Sequence, residues 1–535
     1  MDNMKIKSAA FHILIILFYS GIICLYSWES RLFPRNGNSY RSLPRGSFEL
    51  PDFSWAGYHA GEDDIPAVKQ VETVSASAGD STAIIQQALQ RAAGRGAVVL
   101  SSGIFFVSNE LVIPARTVLR GQGPDHTRLI VNHSATKNKS VIIAGQIGSR
   151  LPLARSADFK GSRPFFIDTV KKDSDTISVY DPASLKAGDL ILAASLVTDQ
   201  LRAEYNISTH IENVLIWPEL SSGFRFIRRI TAVDKSSGVV TLDHPAGWTL
   251  KDRDNAYLVK FSSMLEEIGV EDLSIGFTTP SEHEIYHNIK NTEGEKSSFH
   301  HSRAVHFVNV INGWIKNVST FSPDNNSFHL HSLGLVISDS KWITADNCDF
   351  GFPVHIGGRE NGNIYVLEGA QNCLIRDCTA RYGRHNVFFK AGAMGNVISG
   401  FKDINGMLKS ESYHGLAARN LIENSMIYVQ PDRVLDFIGF TFQNRRKLSD
   451  GAGFTGADNV FWKVRLLHPE STIVSEQAGA DKSRGYVIGC TSVWGRTDTW
   501  GTEWREGIGS ENSLRPVSLY NAQLVNRMKI KTIFH

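Results

Sequence analysis

The chain has little of what would mark several common protein classes. Of 535 residues only 5 are cysteine and 7 methionine. No cysteine pair shows metal-ligand spacing. Cys348, Cys373, Cys378 and Cys490 lie in β-rich stretches, where a small buried thiol is the expected role, and Cys24 lies in an apolar N-terminal run. Charge of one sign is missing too. Lys and Arg total 56 against 54 Asp and Glu, a net charge of +2 with no acidic or basic blocks. That balance gives no reason to expect nucleic acid or an anionic membrane surface as partner. Hairpin dipeptides are scarce: Asn405-Gly406 is one of few, which counts against an antiparallel sandwich. Glycine, at 45, and phenylalanine, at 29, are plentiful and favour a turn-rich β protein over a helical one.

The N-terminus reads as an export signal. Lys5 and Lys7 precede Ala9 to Trp28, which carry no formal charge, and Glu29, Arg31 and Arg35 restore a polar sequence. A helix of about 20 residues reaches about 30 Å, enough to cross a bilayer core. No clear small-x-small cleavage site follows. Residues 1–28 are therefore expected to be a signal anchor or a cleaved signal. The rest of the chain is expected to be exported, periplasmic or extracellular, with a membrane contact only through that segment.

Composition shifts divide the remainder. Residues 29–70, rich in Pro, Gly and Ser, read as a linker and lead-in. Residues 71–162 hold an amphipathic helix, Ala83 to Ala93, after the N-cap signal Asp80-Ser81-Thr82, and then the first short strands, Ala97 to Leu100 and Ile104 to Val107. Residues 163–262 differ. Strand-like segments (Thr176 to Val179, Asp189 to Leu192, Phe226 to Ile230, Val239 to Leu242) alternate with turn-like ones, as in a small inserted β-barrel. Residues 263–510 form the main body and 511–535 a C-terminal tail or helix.

The main body repeats. A short apolar strand, an Asn or Asp, then another apolar or small residue recurs around Asp272, Asn317, Asn347, Asp377 and Asn424. Asn317 to Asn347 is 30 residues and Asn347 to Asp377 is 30 again, while the flanking gaps are 45 and 47 and can hold long loops or two compact rungs. One strand–turn–strand unit at such a period is the signature of a β-solenoid. Asn and Asp suit the bend because they tolerate left-handed backbone. The fold class expected is all-β: a right-handed parallel β-helix with an N-terminal cap helix and a small inserted β-barrel.

Loops at the same place in successive rungs emerge on the same side. The loop after Asn317 carries Asp324, His329 and His331; the next carries His355, Arg359 and Glu360; the third carries Arg381, Tyr382, Arg384 and His385, with Lys390 behind; Glu411 and His414 follow. Such a flank suits β-elimination on a uronic acid. That reaction needs a cation to neutralise the carboxylate, a base for the acidified proton and an acid for the leaving oxygen. Arg384 or Arg359 fits the first role, His385 or Lys390 the second and Tyr382 the third. Arg384, His385, Lys390 and His414 are the catalytic candidates. Asp324, His329, His331, His355, Arg359, Glu360, Arg381 and Tyr382 are the substrate-binding ones. Hydrolysis would instead need two carboxylates, from Asp324, Glu360, Glu368 and Asp377. Each residue alone is as well explained by packing or solvation. No metal is expected, although the oxygens could hold Ca²⁺, because no motif fixes a coordination set. No cofactor is implied. The oligomeric state is open, a trimer included.

With those residues in view, the chain resembles the pectate-lyase superfamily of right-handed β-helix proteins. Asp80 through Gly123 looks like their N-terminal helix and first rungs. Asp52-Phe53-Ser54-Trp55-Ala56-Gly57-Tyr58-His59 and Thr379-Ala380-Arg381-Tyr382-Gly383-Arg384-His385-Asn386 are similar to segments of one bacterial branch. So are Gly456 to Trp462 and Ser518 to Leu524. The resemblance implies the fold and a polysaccharide as partner. The polygalacturonase-type aspartate pair and Gly-His-Gly pattern are missing, and Gly451-Ala452-Gly453-Phe454 lacks the histidine of the branch. A polysaccharide lyase is the expected function. A glycoside hydrolase or a non-catalytic glycan-binding module on the same fold are the alternatives.

Overall fold

The computed structural model describes residues 27–131, 136–146, 165–204, 222–261, 264–280, 297–358, 360–413, 415–430, 439–442, 456–468, 472–474, 484–492 and 503–534. Residues 9–26 of the apolar N-terminal run, Arg359, His414 and Gly451 to Phe454 lie outside the described residues, while Trp28–Glu29 pairs with Leu514–Arg515.

The turn residues read from the sequence build the fold. Asp272, Asn317, Asn347, Asp377 and Asn424 all have φ between 49° and 56°, the left-handed bend that their side chains tolerate. Asp272 and Asn317 bend the continuous strands Ile268–Phe277 and Val310–Thr320, whereas Asn347 separates Lys341–Asp346 from Asp349–Gly351. The gap from Asp377 to Asn424 holds two compact rungs that bend at Gly400, whereas the gap from Asp272 to Asn317 holds one. On the outside the bends stack through side chains, Asn317 Nδ2 donating to Asp272 Oδ1 at 2.7 Å and Asn347 Nδ2 to Asn317 Oδ1 at 3.3 Å. Every strand in these rungs pairs in parallel with its counterpart one rung away. The chain is thus a right-handed parallel β-helix.

Each rung contributes to three faces. A nine-stranded sheet runs from Leu111–Ile113 through Arg303–Val308, Leu333–Ser338, Tyr365–Glu368 and Val387–Lys390 to Thr472–Val474. The strands before and after each asparagine bend make the second and third faces. Alternation decides what fills the coil: Val305, Phe307, Leu335, Ile337, Tyr365, Leu367, Val387 and Phe389 point inward, each at most 1 % exposed. The interior carries a buried polar ladder as well. Asn420 Oδ1 accepts Asn396 N–H at 3.1 Å and Nδ2 at 2.9 Å, and Asn459 Oδ1 accepts Asn420 N–H at 2.9 Å. Cys348, Cys373, Cys378 and Cys490 are buried free thiols.

The outer side of the second face is apolar and covered. Leu374, Val397, Leu421, Val460 and Tyr486 align in register there, under Leu32, Phe33, Leu50 and Phe53 of the lead-in and Leu519 and Tyr520 of the helix Leu519–Phe534. The coil itself caps that helix. The buried Glu423 carboxylate accepts Ser518 Oγ at 2.6 Å and Leu519 N–H at 2.8 Å, placing negative charge at the helix N-terminus. At the other end Thr82–Ala92 buries Ile85, Ala88, Leu89 and Ala92 against the first rungs, and Asp80 rather than Ser81 accepts its leading Thr82 N–H, at 3.0 Å.

Residues Phe165 to Lys260 supply a six-stranded antiparallel sheet with a core of its own. A bridge between Ile167 and Val179 joins its two edges and closes it on itself. Ion pairs fasten it to the corner between the first and second faces: Arg225 to Asp339 at 2.8 Å, Asp243 to Lys341 at 2.7 Å and Lys172 to Asp458 at 2.9 Å. Among the described residues no helix is long and apolar enough to cross a membrane.

Candidate functional site

The outer side of the nine-stranded face carries charged groups beside an apolar patch of Val336, Val366 and Phe388. Register fixes two outward columns. One runs His306, Val336, Val366, Phe388, Glu411, and the next Val308, Ser338, Glu368, Lys390. Stacking at the strand spacing of about 4.8 Å puts polar members of the second column in contact. His306 Nε2 lies 2.9 Å from Ser338 Oγ, Ser338 Oγ donates to Glu368 Oε2 at 3.2 Å, and Lys390 Nζ sits 3.4 Å from Glu368 Oε1. Lys390 Nζ also donates to Glu360 Oε2 at 2.7 Å.

Burial and charge set the titration of this chain of groups. Burial pulls His306 down to about 3, so it is neutral and its Nε2–H is the natural donor to Ser338. Burial would raise Glu368, but the charges of Lys390 and Arg303, with the hydrogen bond from Ser338, more than offset it and hold the carboxylate at about 2. Lys390 stands between two carboxylates, which suits a fixed cation better than the proton-abstracting role open to it from sequence. Glu360 Oε1 and Arg303 Nε are buried here with no hydrogen-bond partner.

Next to this network the loops that enter the nine-stranded face stack as the sequence register requires. His355 N–H donates to His331 O at 3.0 Å, Arg384 N–H to Gly362 O at 2.7 Å and Leu408 N–H to Arg384 O at 2.8 Å. His385 Nδ1 lies 2.5 Å from Lys409 O and Nε2 3.6 Å from Glu411 Oε1, with the ring packed on Phe388 at 5.2 Å between centroids. A carbonyl accepts only, so Nδ1 carries the proton and Nε2 is aimed at Glu411. Arg384 Nη1 donates to Ile356 O at 3.1 Å; burial lowers its pKa, and Glu411 and Tyr413 oppose that shift. Tyr413 also packs against Phe388, at 5.8 Å between centroids.

The remaining sequence candidates go elsewhere. His331 is 3 % exposed, between the rings of Phe277 and Phe299, with Nδ1 2.9 Å from Thr136 Oγ1 and Nε2 3.0 Å from Thr278 O. His355 is fully buried and its Nδ1 accepts Gly357 N–H at 3.1 Å. Arg381 forms a two-pronged ion pair with Asp349, Nη2 to Oδ2 at 2.9 Å, on the third face. Tyr382 stacks on Phe352, which packs against His329, so these three rings form their own pile at the corner. Asp324 accepts Thr279 N–H at 2.6 Å in an exposed turn. The structure therefore sets His385 beside Glu411 and near Arg384, and Lys390 between Glu360 and Glu368, and it adds Arg303, His306, Ser338 and Tyr413 to the residues named from the sequence. The signal for Glu368 and His306 was present in the alternation of their strands, once the inward residues are identified.

Comparison with protein-family models and with curated proteins finds no match. Several solved structures are similar. The surface adhesin PfbA of Streptococcus pneumoniae is 11 % identical, with 82 % of this chain and 81 % of that one covered and a TM-score of 0.44. The Gp54 tailspike of Acinetobacter baumannii bacteriophage AP22, solved with a capsular saccharide, is 11 % identical, with 82 % and 70 % covered and a TM-score of 0.37. The polygalacturonase of Erwinia carotovora ssp. carotovora is 11 % identical, with 83 % and 94 % covered and a TM-score of 0.33. These likenesses set no reaction, because the architecture hosts many. The strand register itself makes this chain a right-handed parallel β-helix protein.

Proposed function

We propose that the protein is a carbohydrate-active enzyme of the cell exterior, and that it cleaves an acidic polysaccharide by β-elimination on the outer side of the nine-stranded face. One observation carries the reading: successive rungs set buried His385 beside Glu411, and buried Lys390 between Glu360 and Glu368, on that side, with the half-buried Arg384 in the same loop stack and two buried polar atoms without partners. Buried polar atoms are nearly always satisfied, so an unbonded pair beside a charge cluster marks a place where a ligand completes the bonding.

In this reading Arg384 and Lys390 offset the substrate carboxylate, which acidifies the proton on the adjacent carbon. His385 Nε2 takes that proton while the Lys409 carbonyl holds the ring in place. The carbon–oxygen bond to the leaving sugar breaks as the carbon–carbon double bond forms, and Glu411, 3.6 Å from Nε2, is placed to pass the proton to the departing oxygen. A second reading rests on the same side: Glu360, Glu368 and Glu411 are three carboxylates on one surface, the type of group that glycoside hydrolysis needs.

The test is product analysis with a panel of uronic-acid polymers. β-Elimination yields ultraviolet absorbance from an unsaturated end in step with new reducing ends. Reducing ends without absorbance turn the reading to hydrolysis, and tight binding with neither signal turns it to a glycan-binding module.

A further inference from the structure

A cleft of about 1060 Å³ lies where the lead-in, the inserted barrel, the coil and the C-terminal helix meet, away from the cluster described above. Pockets that hold ligands run from about 300 to 1000 Å³, so this one has room for several sugar rings. Two of its residues are unusual. Arg228, 2 % exposed, donates from Nε to His244 O at 3.0 Å, from Nη1 to Ile227 O at 2.7 Å and from Nη2 to Pro245 O at 2.5 Å. None of these acceptors is a carboxylate. The nearby Asp243 carboxylate favours the Arg228 charge without bonding it, since its own hydrogen bonds go to Lys341 at 2.7 Å and His244 at 3.2 Å. Burial brings Arg228 down to about 9, which leaves it a cation at neutral pH, and burial brings the adjoining His244 down to about 3, which leaves it neutral.

Gln371 is the second. It is 2 % exposed, its Oε1 accepts Ile227 N–H at 2.8 Å, and its Nε2 is buried with no partner. Both residues line the cleft. A buried cation touching only carbonyls, beside an unused amide donor, is costly unless an anion completes it. The walls are cationic on balance, six Lys and Arg against the carboxylates Glu49, Asp52 and Asp173. Arg419 and Lys172 are each paired, with Asp173 and Asp458, while Arg41 and Lys529 stand exposed at the edge.

We infer that this cleft is a second carbohydrate site, binding an acidic oligosaccharide whose oxyanion is received by the Arg228 guanidinium and Gln371 Nε2. The sugar identity rests on the proposed function; the oxyanion chemistry does not. A guanidinium beside an amide N–H receives a carboxylate or a sulfate ester equally well. The site lies outside the cleaving cluster, so it would hold a neighbouring stretch of polymer while the nine-stranded face works.

The full chain should be titrated with a uronic-acid hexasaccharide, a sulfated hexasaccharide and inorganic sulfate, with hydrogen exchange recorded in each state. His385→Ala provides a form that does not consume the probe. One or both oligosaccharides should protect residues 226–228, 371–372 and 523–530, in wild type and His385→Ala alike. Arg41→Glu with Lys529→Glu, both exposed, and Gln371→Met should each weaken binding about tenfold, the scale of one or two charge-assisted bonds. Which oligosaccharide binds separates carboxylate from sulfate recognition. Protection absent from these segments at saturation, protection by inorganic sulfate only, or an affinity unmoved by all three substitutions overturns the inference. Cleavage without cleft protection removes this site and leaves the proposed function standing; cleft protection without cleavage does the reverse.

Discussion

Lys390→Met is the substitution whose consequence can be worked furthest. Lys390 Nζ is 2.7 Å from Glu360 Oε2 and 3.4 Å from Glu368 Oε1, and methionine fills much of its volume without the charge. Glu368 is held at about 2 instead of its ordinary 4.5, a gap worth about 3 kcal/mol of stability at neutral pH. Its side chain is 31 % exposed, so solvent screening brings that nearer about 2 kcal/mol. Glu360, more deeply buried, is left as an uncompensated carboxylate as well. The total expected loss at pH 7 is about 3–5 kcal/mol, the scale for breaking a buried ion pair from one side. The sign follows from the depressed value. A carboxylate of this kind stabilises the fold above about 4.5, and that contribution fades as pH falls towards about 2. Wild type therefore loses the benefit on acidification, whereas the variant has little to lose. Thermal unfolding of both proteins between pH 7 and pH 3 should show a gap on the order of 5–10 °C at pH 7 that narrows below about pH 4.5. A gap that is absent at pH 7, or constant across the series, would refute the assignment of Lys390 as the counter-charge of this face.

The interior and exterior asparagines should differ sharply in weight. Asn420→Ala removes four side-chain bonds and strands the buried Asn396 N–H, for an expected loss of about 3 kcal/mol, whereas Asn347→Ala removes one exposed bond and costs about 1 kcal/mol. Urea midpoints of the two variants measure the contrast, and equal midpoints contradict it. Glu423→Ala should leave the coil intact but free the helix Leu519–Phe534, seen as faster amide exchange over 519–534; unchanged exchange there would show that the cap does not hold it.

The coil was legible because its bends select residues by backbone conformation. Asn317, Asn347, Asp377 and Asn424 announce a left-handed bend, whereas Lys463, at φ 60° in an equivalent bend, announces nothing, since its side chain neither favours nor stabilises that conformation. Stacking of the polar loops on one flank followed from register alone. Side-chain direction did not. His331 and His355 looked like loop groups, yet the rings of Phe277 and Phe299 enclose the first and loop backbone the second. Glu368 lies in a strand whose side-chain direction shows only once Leu367 is seen to fill the core, and Phe307 turns His306 outward in the same way. Arg228 and Gln371 meet across segments far apart in sequence, and no local pattern marks such a meeting.

The central claim is that chemistry occurs where Arg384, His385, Lys390 and Glu411 meet on the nine-stranded face. The direct measurement is the initial rate of unsaturated-product absorbance on a uronic-acid polymer for His385→Ala and Glu411→Gln, beside Arg376→Ala. The last residue pairs with Asp346 on the second face, at 2.8 Å. Loss of a general acid or base costs about a hundredfold or more, so the first two variants should fall by at least that factor while Arg376→Ala stays within about threefold of wild type. Near-normal rates for folded His385→Ala and Glu411→Gln would place the chemistry elsewhere on the coil.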